Sequence, residues 1–141
     1  MDAWRSAVLQ EAATWIGTPW IHRAKIKGAG VDCAQFLIGA FCGAGVIEPF
    51  DTGDYPIDWM LHREEERFIG WIERYMEPTN SPQPADVAVW KYGRAFSHAA
   101  IVVEWPRIIH SFRKERGVVW GDASSGDLSH HPHKFYARRD L

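Results

Sequence analysis

Apolar residues in the first half of the chain recur at the three- and four-residue spacing of amphipathic helices. A first helix is predicted from an Asp2 cap to about Ile16, because one stripe of apolar side chains runs along it: Trp4, Val8, Ala12 and Trp15. Gly17 and the following Thr-Pro pair provide the stop. The pattern therefore predicts a helical N-terminal part.

Two further helices are predicted before residue 77. One runs from Cys33 to about Cys42 and is ended by Gly43 and Gly45. The other runs from an Asp58 cap to about Met76, with Pro78 beyond it and one apolar face made of Leu61, Phe68, Ile72 and Tyr75. The charged run HREEER within it is typical of a solvated helix face.

After the proline-rich segment PTNSPQP, interpreted as a loop, the pattern changes to short β-branched and aromatic runs separated by turn residues. Five strands are predicted: DVAVWKY, HAAIVVE, RIIHSF, GVVW and KFYARR. HAAIVVE is apolar on both faces, which indicates a central strand. Helices first and an antiparallel sheet second make the expected fold class α+β.

A length of 141 residues and a hydrophobic fraction of 46% predict one globular domain spanning 1–141. A net charge of −2 gives no sign of a nucleic-acid partner. No apolar run approaches the ~20 residues that a membrane-spanning helix needs. The N-terminus lacks the basic start and apolar stretch of a secretory signal, so synthesis in the cytoplasm without membrane insertion is expected.

Cys33 is the candidate nucleophile. A thiol at a helix N-terminus meets the positive end of the helix dipole, which is expected to lower its pKa and to leave it partly exposed. The preceding Asp32 disfavours a thiolate, so a role in capping the helix or bracing a loop is expected of it. A small buried hydrophobe is the alternative reading of Cys33. A disulfide with Cys42 is not expected, because nine residues of one helix separate the two by ~13 Å.

His98 and His110 are the candidate partners of the thiol. They lie in consecutive predicted strands, twelve residues apart, with EWP between them. A three- or five-residue loop centred on Trp105 would place His110 opposite Ala100 and on the same face as His98. A two-residue loop would place the histidines on opposite faces. In the first register one histidine accepts the thiol proton and the other orients its ring.

Two segments carry a family resemblance. WIGTPWIHRAKIKGAGVDCAQF resembles the nucleophile segment of the NlpC family of papain-like cysteine peptidases, and PADVAVWKYGRAFSHAAIVVEWPRIIHSF resembles its strand pair. The resemblance implies a papain-like fold in which N-terminal helices pack on a five- to six-stranded antiparallel sheet. The HRAKIKGAGVDC form is similar to the variant found in phage and gene-transfer-agent tails.

The resemblance also implies residue roles: Cys33 as nucleophile, His98 as base and His110 as the orienting third member. Trp20 stands where the family usually has a tyrosine that donates a hydrogen bond near the oxyanion. Four residues complete the expected oxyanion and substrate-binding set: Trp20, His22, Asp32 and Ser97. No cofactor is expected.

The segment SHHPH raises the question of a metal through His130, His131 and His133. Structural zinc takes four ligands at characteristic spacings, so a polar loop is the favoured interpretation and no metal is expected.

The implied function is hydrolysis of peptidoglycan stem-peptide amide bonds after the D-glutamyl residue. A phage or phage-like tail would deliver the protein to the host periplasm and cell wall, with tail-tip or hub proteins as partners. A structural tail-tip subunit with little activity and an acyltransferase or amidase acting on another substrate are the alternatives. A deep apolar groove would favour the latter, and an open polar groove would favour peptidoglycan.

Overall fold

The computed structural model describes residues 1–49, 67–93 and 95–139 of the chain. The α-helices of this part are α1 (Ala3–Ala13), α2 (Cys33–Gly43) and α3 (Arg67–Tyr75). Helix α1 ends three residues before the predicted Ile16, because the N–H groups of residues 14–16 bond to carbonyls three residues back. Helix α2 matches its predicted bounds to within one residue.

Helix α3 agrees with the prediction only in part. Residues 58–66, which include the predicted Asp58 cap and all of HREEER except Arg67, lie outside the described residues. At its other end the helix stops at Tyr75, and Met76 begins a strand. The helix therefore ends within one residue of the predicted Met76.

The main sheet has six strands in the described part of the chain, in the order β3-β8-β4-β5-β6-β7. Their bounds are β3 Met76–Thr79, β4 Val87–Tyr92, β5 Ala95–Glu104, β6 Arg107–Phe112, β7 Gly117–Asp122 and β8 His133–Arg138. Every pairing is antiparallel, which confirms the expected α+β class and sheet size. Strand β3 includes Pro78 and Thr79, the first two residues of the expected loop. A proline is tolerated there because β3 is an edge strand, where a missing N–H can face away from the sheet.

The helices cover one face of this sheet. Val8, Phe36 and Phe41 pack with strand residues of that face, such as Val89 and Ile101, in one buried core. The other face carries a smaller cluster around Trp90, Val102 and Ile108, and Leu128 of the 3-10 helix Asp127–His130 covers it. His98 and His110 belong to this second face, because they alternate with core residues along β5 and β6.

The turn between β5 and β6 corrects the expected loop. Trp105 and Pro106 alone connect the strands, so the loop has two residues. A bulge at Val103 adds one residue to β5, however, and shifts the pairing to Ile101 opposite Ile109. Continuing that register puts His110 opposite Ala100. The prediction that a two-residue loop separates the histidines is therefore wrong, because the bulge restores the shared face.

The segment that leads to Cys33 is joined to the edge strand β7 of the main sheet. Two short strands, β1 (Lys25–Ile26) and β2 (Gly30–Val31), form a small hairpin, and Pro19 bridges to Gly117 of β7. A Cβ at Gly117 would lie 2.5 Å from the Thr18 carbonyl oxygen, so only glycine permits this approach. In the described residues no helix is long and apolar enough to cross a membrane.

Candidate active site

Asp32 fixes the start of helix α2 and the loop in front of it. Its Oδ1 accepts a hydrogen bond from the Gln35 N–H at 2.9 Å, which is an N-cap, and its Oδ2 accepts one from the Arg23 N–H at 2.8 Å. The side chain thus both caps the helix and braces a loop. Cys33 follows as the first residue of the helix.

The Cys33 thiol lies against strand β5 where β5 and β6 separate. Its S–H donates to the Ser97 carbonyl oxygen at 3.4 Å, and the Ala99 N–H is directed at the sulfur. The Ser111 hydroxyl of β6 donates to the Val31 carbonyl at 2.8 Å. The chain leading into the helix is therefore held between the two strand ends, and the sulfur contacts the backbone on both sides of His98.

Ser97 contributes to this arrangement through its backbone. It is the extra residue of a bulge in β5, because Trp90 pairs with His98 and Lys91 pairs with Phe96. The bulge turns the Ser97 carbonyl toward the thiol. Ser97 thus lies beside the nucleophile with its carbonyl as the contact, and its role in oxyanion or substrate binding stays a prediction.

The electrostatics of the thiol differ from the expectation. Burial raises the pKa of the Cys33 thiol above its ordinary value, and the Asp32 carboxylate raises it further. Backbone N–H groups of Ala99, Ala34 and Cys33 itself lower this pKa by less. The prediction of a lowered thiol pKa is wrong, since desolvation outweighs the helix N-terminus. Cys33 as a whole residue is partly exposed, whereas its thiol group is surrounded by protein atoms.

The two histidines form a hydrogen-bonded pair. His98 Nε2 lies 2.8 Å from His110 Nδ1, and the two rings meet edge to face. Both side chains are buried, with exposed fractions of 8% and 3%. Phe112 stacks on His110 and also contacts His98, so one aromatic ring shields the bond from water. His98 Nδ1 is left as the nitrogen that can accept a proton.

Burial lowers the pKa of His98 well below its ordinary value, and the neighbouring His110 lowers it further. Burial alone lowers the pKa of His110 to about 4. Both rings are therefore neutral at pH 7. Together with the raised thiol pKa, these lowered pKa values favour a neutral thiol and a neutral imidazole pair.

Trp20 and His22 lie around the entry to helix α2. The Trp20 backbone bridges to Val31, and the Arg113 guanidinium lies over its indole ring. His22 Nδ1 lies 3.9 Å from Asp32 Oδ2. The structure thus groups both residues with the segment before Cys33, and in the described part of the chain no hydrogen bond joins the Trp20 indole to the thiol.

A polar cluster that the sequence did not predict adjoins His98. The Tyr92 hydroxyl donates to Asp127 Oδ2 at 2.5 Å, and Lys114 Nζ donates to Asp127 Oδ1 at 2.7 Å. The Tyr92 ring meets His98 edge-on and stacks on His131 with 3.9 Å between ring centroids. These partners are distant in sequence, and only the sheet register brings them together. The bond from Lys114, followed by that from Tyr92, holds the pKa of Asp127 below its usual value.

The histidines of SHHPH are divided among different surroundings. His131 stacks on Tyr92, His133 contacts Trp105 at the sheet surface, and His130 is exposed. Within residues 1–49, 67–93 and 95–139, no group of three or more histidine, cysteine, aspartate or glutamate side chains is placed to hold a metal ion.

A groove of about 430 Å³ opens beside His110. Its floor is formed by strands β6 and β7, and the chain from Asp122 to Leu128 forms one wall. Glu115, Asp122 and Asp127 give the groove an acidic character. A second cavity, of about 40 Å³, is apolar and lies between α2 and α3.

No family model and no curated protein matches this sequence. Among solved structures, the NlpC/p60 domain of the peptidoglycan hydrolase SagA superposes with a TM-score of 0.62 at 18% identity, covering 96% of this chain and 98% of that one. An NLP/P60 family lipoprotein-like protein of Staphylococcus aureus superposes with a TM-score of 0.67 at 18% identity, covering 95% of this chain and 41% of that one. The peptidoglycan hydrolase RipB of Mycobacterium tuberculosis superposes with a TM-score of 0.59 at 17% identity, covering 96% of this chain and 64% of that one.

The chain thus spans nearly all of the SagA domain but less than half of the S. aureus protein. The described part of this chain has the expected arrangement of helices on one face of a six-stranded antiparallel sheet. It also has the expected cysteine at a helix start, against a strand that carries a histidine. The fold of this chain is that of the NlpC/p60 domains.

Proposed function

We propose that this chain is a cysteine endopeptidase that hydrolyses peptide bonds in bacterial peptidoglycan. The observation that carries the proposal is the placement of the Cys33 sulfur against the backbone on both sides of His98, whose ring is bonded to His110. A nucleophile, a base and an orienting group are the parts that acyl transfer needs. The likeness in fold to the peptidoglycan hydrolases SagA and RipB supports this substrate.

In the proposed reaction, the Cys33 sulfur attacks the amide carbonyl carbon while His98 Nδ1 takes the thiol proton. His98 then gives that proton to the amide nitrogen, the C–N bond breaks, and an amine leaves a thioester on Cys33. A water molecule attacks the thioester as His98 takes its proton. The C–S bond breaks with return of that proton to sulfur, giving a carboxylic acid and free thiol.

The developing oxyanion needs hydrogen-bond donors in a fixed position. The backbone N–H of Cys33, at the unpaired start of helix α2, is one proposed donor. The Trp20 indole is proposed as a second donor, reached when substrate fills the site. His22, beside Asp32, is proposed to line the substrate path.

In the described part of the chain, the groove beside His110 is polar and acidic, and the cavity between α2 and α3 is apolar and has only about 40 Å³; Cys33 lines neither of them. We propose cleavage after the D-glutamyl residue of the stem peptide. We further propose delivery by a phage or phage-like tail, with tail-tip or hub proteins as partners and the host periplasm and cell wall as the place of action.

The test is release of new amino groups from purified Gram-negative peptidoglycan, with the products identified by mass spectrometry. Cys33→Ala is expected to lose about 10³-fold or more in rate while staying folded, and His98→Ala is expected to behave alike. His110→Ala is expected to be impaired less severely. Cys42→Ala is the matched control, because this second free thiol lies at the other end of helix α2.

Cleavage that survives Cys33→Ala would refute the mechanism. A folded wild-type protein whose Cys33 is alkylated but which releases no amino groups would favour a structural subunit instead. Product masses that do not correspond to peptides ending in D-glutamate would refute the proposed cleavage site but would still support peptidase activity.

A further inference from the structure

The hydrogen bond between His98 and His110 can be made by two tautomer pairs, and only one of them supports catalysis. If His98 Nε2 carries the proton and donates it to His110 Nδ1, then His98 Nδ1 is bare and can accept the thiol proton. If His110 Nδ1 donates instead, the proton of the neutral His98 ring must lie on Nδ1, and the base is blocked. The active pair therefore requires His110 to carry its proton on Nε2.

A proton on His110 Nε2 needs an acceptor, because a buried N–H without one costs free energy. Among the described residues, the bond to His98 is the one that His110 makes, and it uses Nδ1. The Nε2 atom points at strand β7, where Gly121 stands opposite Ile108 on the same face. A Cβ built on Gly121 would lie 3.0 Å from Nε2 and 3.3 Å from Ile108 Cγ1.

The missing side chain of Gly121 leaves an opening between Nε2 and the groove, since Gly121 and His110 both line it. Water in this groove can accept the Nε2 proton. The backbone at Gly121 does not have a positive φ, so the space and not the conformation requires glycine there.

We propose that Gly121 is a positioning residue: the opening it leaves lets His110 Nε2 donate to groove water, and this selects the tautomer pair in which His98 Nδ1 is free to act as base. A methyl group at this position would displace the His110 ring by a few tenths of an ångström and exclude the water. The proton of His110 would then move to Nδ1, toward His98. The inference rests on the proposed function for its kinetic consequence but not for the tautomer itself.

The experiment compares wild type, Gly121→Ala and Gly70→Ala. Gly70 lies in helix α3, and among the described residues no atom lies within 4 Å of an added Cβ, so its substitution adds the same methyl group without a described contact. Long-range ¹H–¹⁵N correlation spectra identify which ring nitrogen of each histidine carries a proton. We expect protonated Nε2 atoms on both His98 and His110 in wild type and Gly70→Ala, and protonated Nδ1 atoms on both in Gly121→Ala.

In the peptidoglycan assay, Gly121→Ala is expected to lower kcat about 10- to 100-fold with KM changed less than twofold. Adding Gly121→Ala to His110→Gln is expected to cause no further loss, since the tautomer it acts on is gone. A wild-type spectrum with the His98 proton on Nδ1 overturns the proposal. So does a Gly121→Ala protein with wild-type tautomers, whatever its activity. Failure of the proposed function would show instead as absent turnover in a protein whose spectra are as expected.

Discussion

Acid should destabilise this protein through His110, and a His110→Gln variant removes that titration. The pKa of His110 is lowered to about 4 by burial, against 6.5 for the free side chain. Between these two values the unfolded chain binds a proton that the folded protein does not. The free energy of unfolding is therefore unaffected by this titration above about pH 6.5, and it decreases as the pH falls from 6.5 toward 4.

The pKa values give the magnitude. A difference of about 2.5 pH units corresponds to about 3.4 kcal/mol when the titration is complete. Between pH 7.5 and pH 4.5 the linkage relation gives a loss of about 2.5 kcal/mol from His110 alone. His98 acts in the same direction, since its pKa is lowered too.

The assay is urea unfolding of wild type and His110→Gln at both pH values. Glutamine keeps an acceptor for His98 but does not titrate, so wild type should lose about 2.5 kcal/mol more than the variant. The loss of packing caused by the substitution lowers the free energy of unfolding equally at both pH values, so it cancels when the two pH values are compared. His130→Gln is the control, because His130 is exposed, and it should follow wild type.

Equal losses in wild type and His110→Gln, to within about 0.5 kcal/mol, would refute the reasoning. That result would mean that His110 is already charged in the folded protein at pH 4.5. A charged ring has protons on both nitrogens and cannot accept from His98. The bond that leaves His98 Nδ1 bare would then be lost at acid pH, and the lowered pKa of His110 would be refuted.

Two further predictions concern the carboxylates that hold the site and the layers together. Asp32→Ala removes the acceptor of both the Gln35 and Arg23 N–H groups and should cost about 1–2 kcal/mol in urea unfolding, with Asp32→Asn costing less. Both variants remove the charge beside the thiol, so the alkylation rate of Cys33 should rise at a lower pH than in wild type; an unchanged pH profile would refute the effect of Asp32. Asp86→Ala should cost about 2–3 kcal/mol, because Asp86 Oδ1 accepts from the largely buried Arg5 guanidinium at 2.8 Å and its loss leaves Asp2, at 3.7 Å, as the carboxylate near that charge. Arg5→Met in the same chain should recover much of that loss, and failure to recover it would show that packing rather than charge is responsible.

Local signals explain which elements the sequence predicted. Helix α2 begins at Cys33 because Asp32 is an N-cap residue before an apolar run, and both facts are contained in neighbouring residues. The strands β4 to β8 are likewise marked by β-branched and aromatic runs. Strand β3 is not, because a glutamate and a proline occupy half of it and only its pairing with β8 makes it a strand.

The site depends on features that no local pattern contains. The bulges at Ser97 and Val103 each insert one residue into β5, and together they decide which side chains share a face and which carbonyl meets the thiol. The pairing of Tyr92 with Asp127 depends on where the chain after β7 crosses the sheet. The pKa of Cys33 depends on burial, which outweighs the helix N-terminus that the sequence does reveal.

For the proposed reaction, the raised thiol pKa and the lowered histidine pKa values favour attack by a neutral thiol. A thiolate–imidazolium pair in the resting site would need a histidine pKa above that of the thiol, and burial moves the two in the opposite directions. The thiol donates instead to the Ser97 carbonyl. In the proposed reaction, proton transfer to His98 accompanies attack, and the charge that appears on His98 is stabilised through Nε2 by a neutral His110. That stabilisation requires His110 to be an acceptor, so the proposed reaction depends on a solvated Nε2 proton on His110. Gly121 of β7 lies against this Nε2 atom, and its missing side chain leaves room for the water.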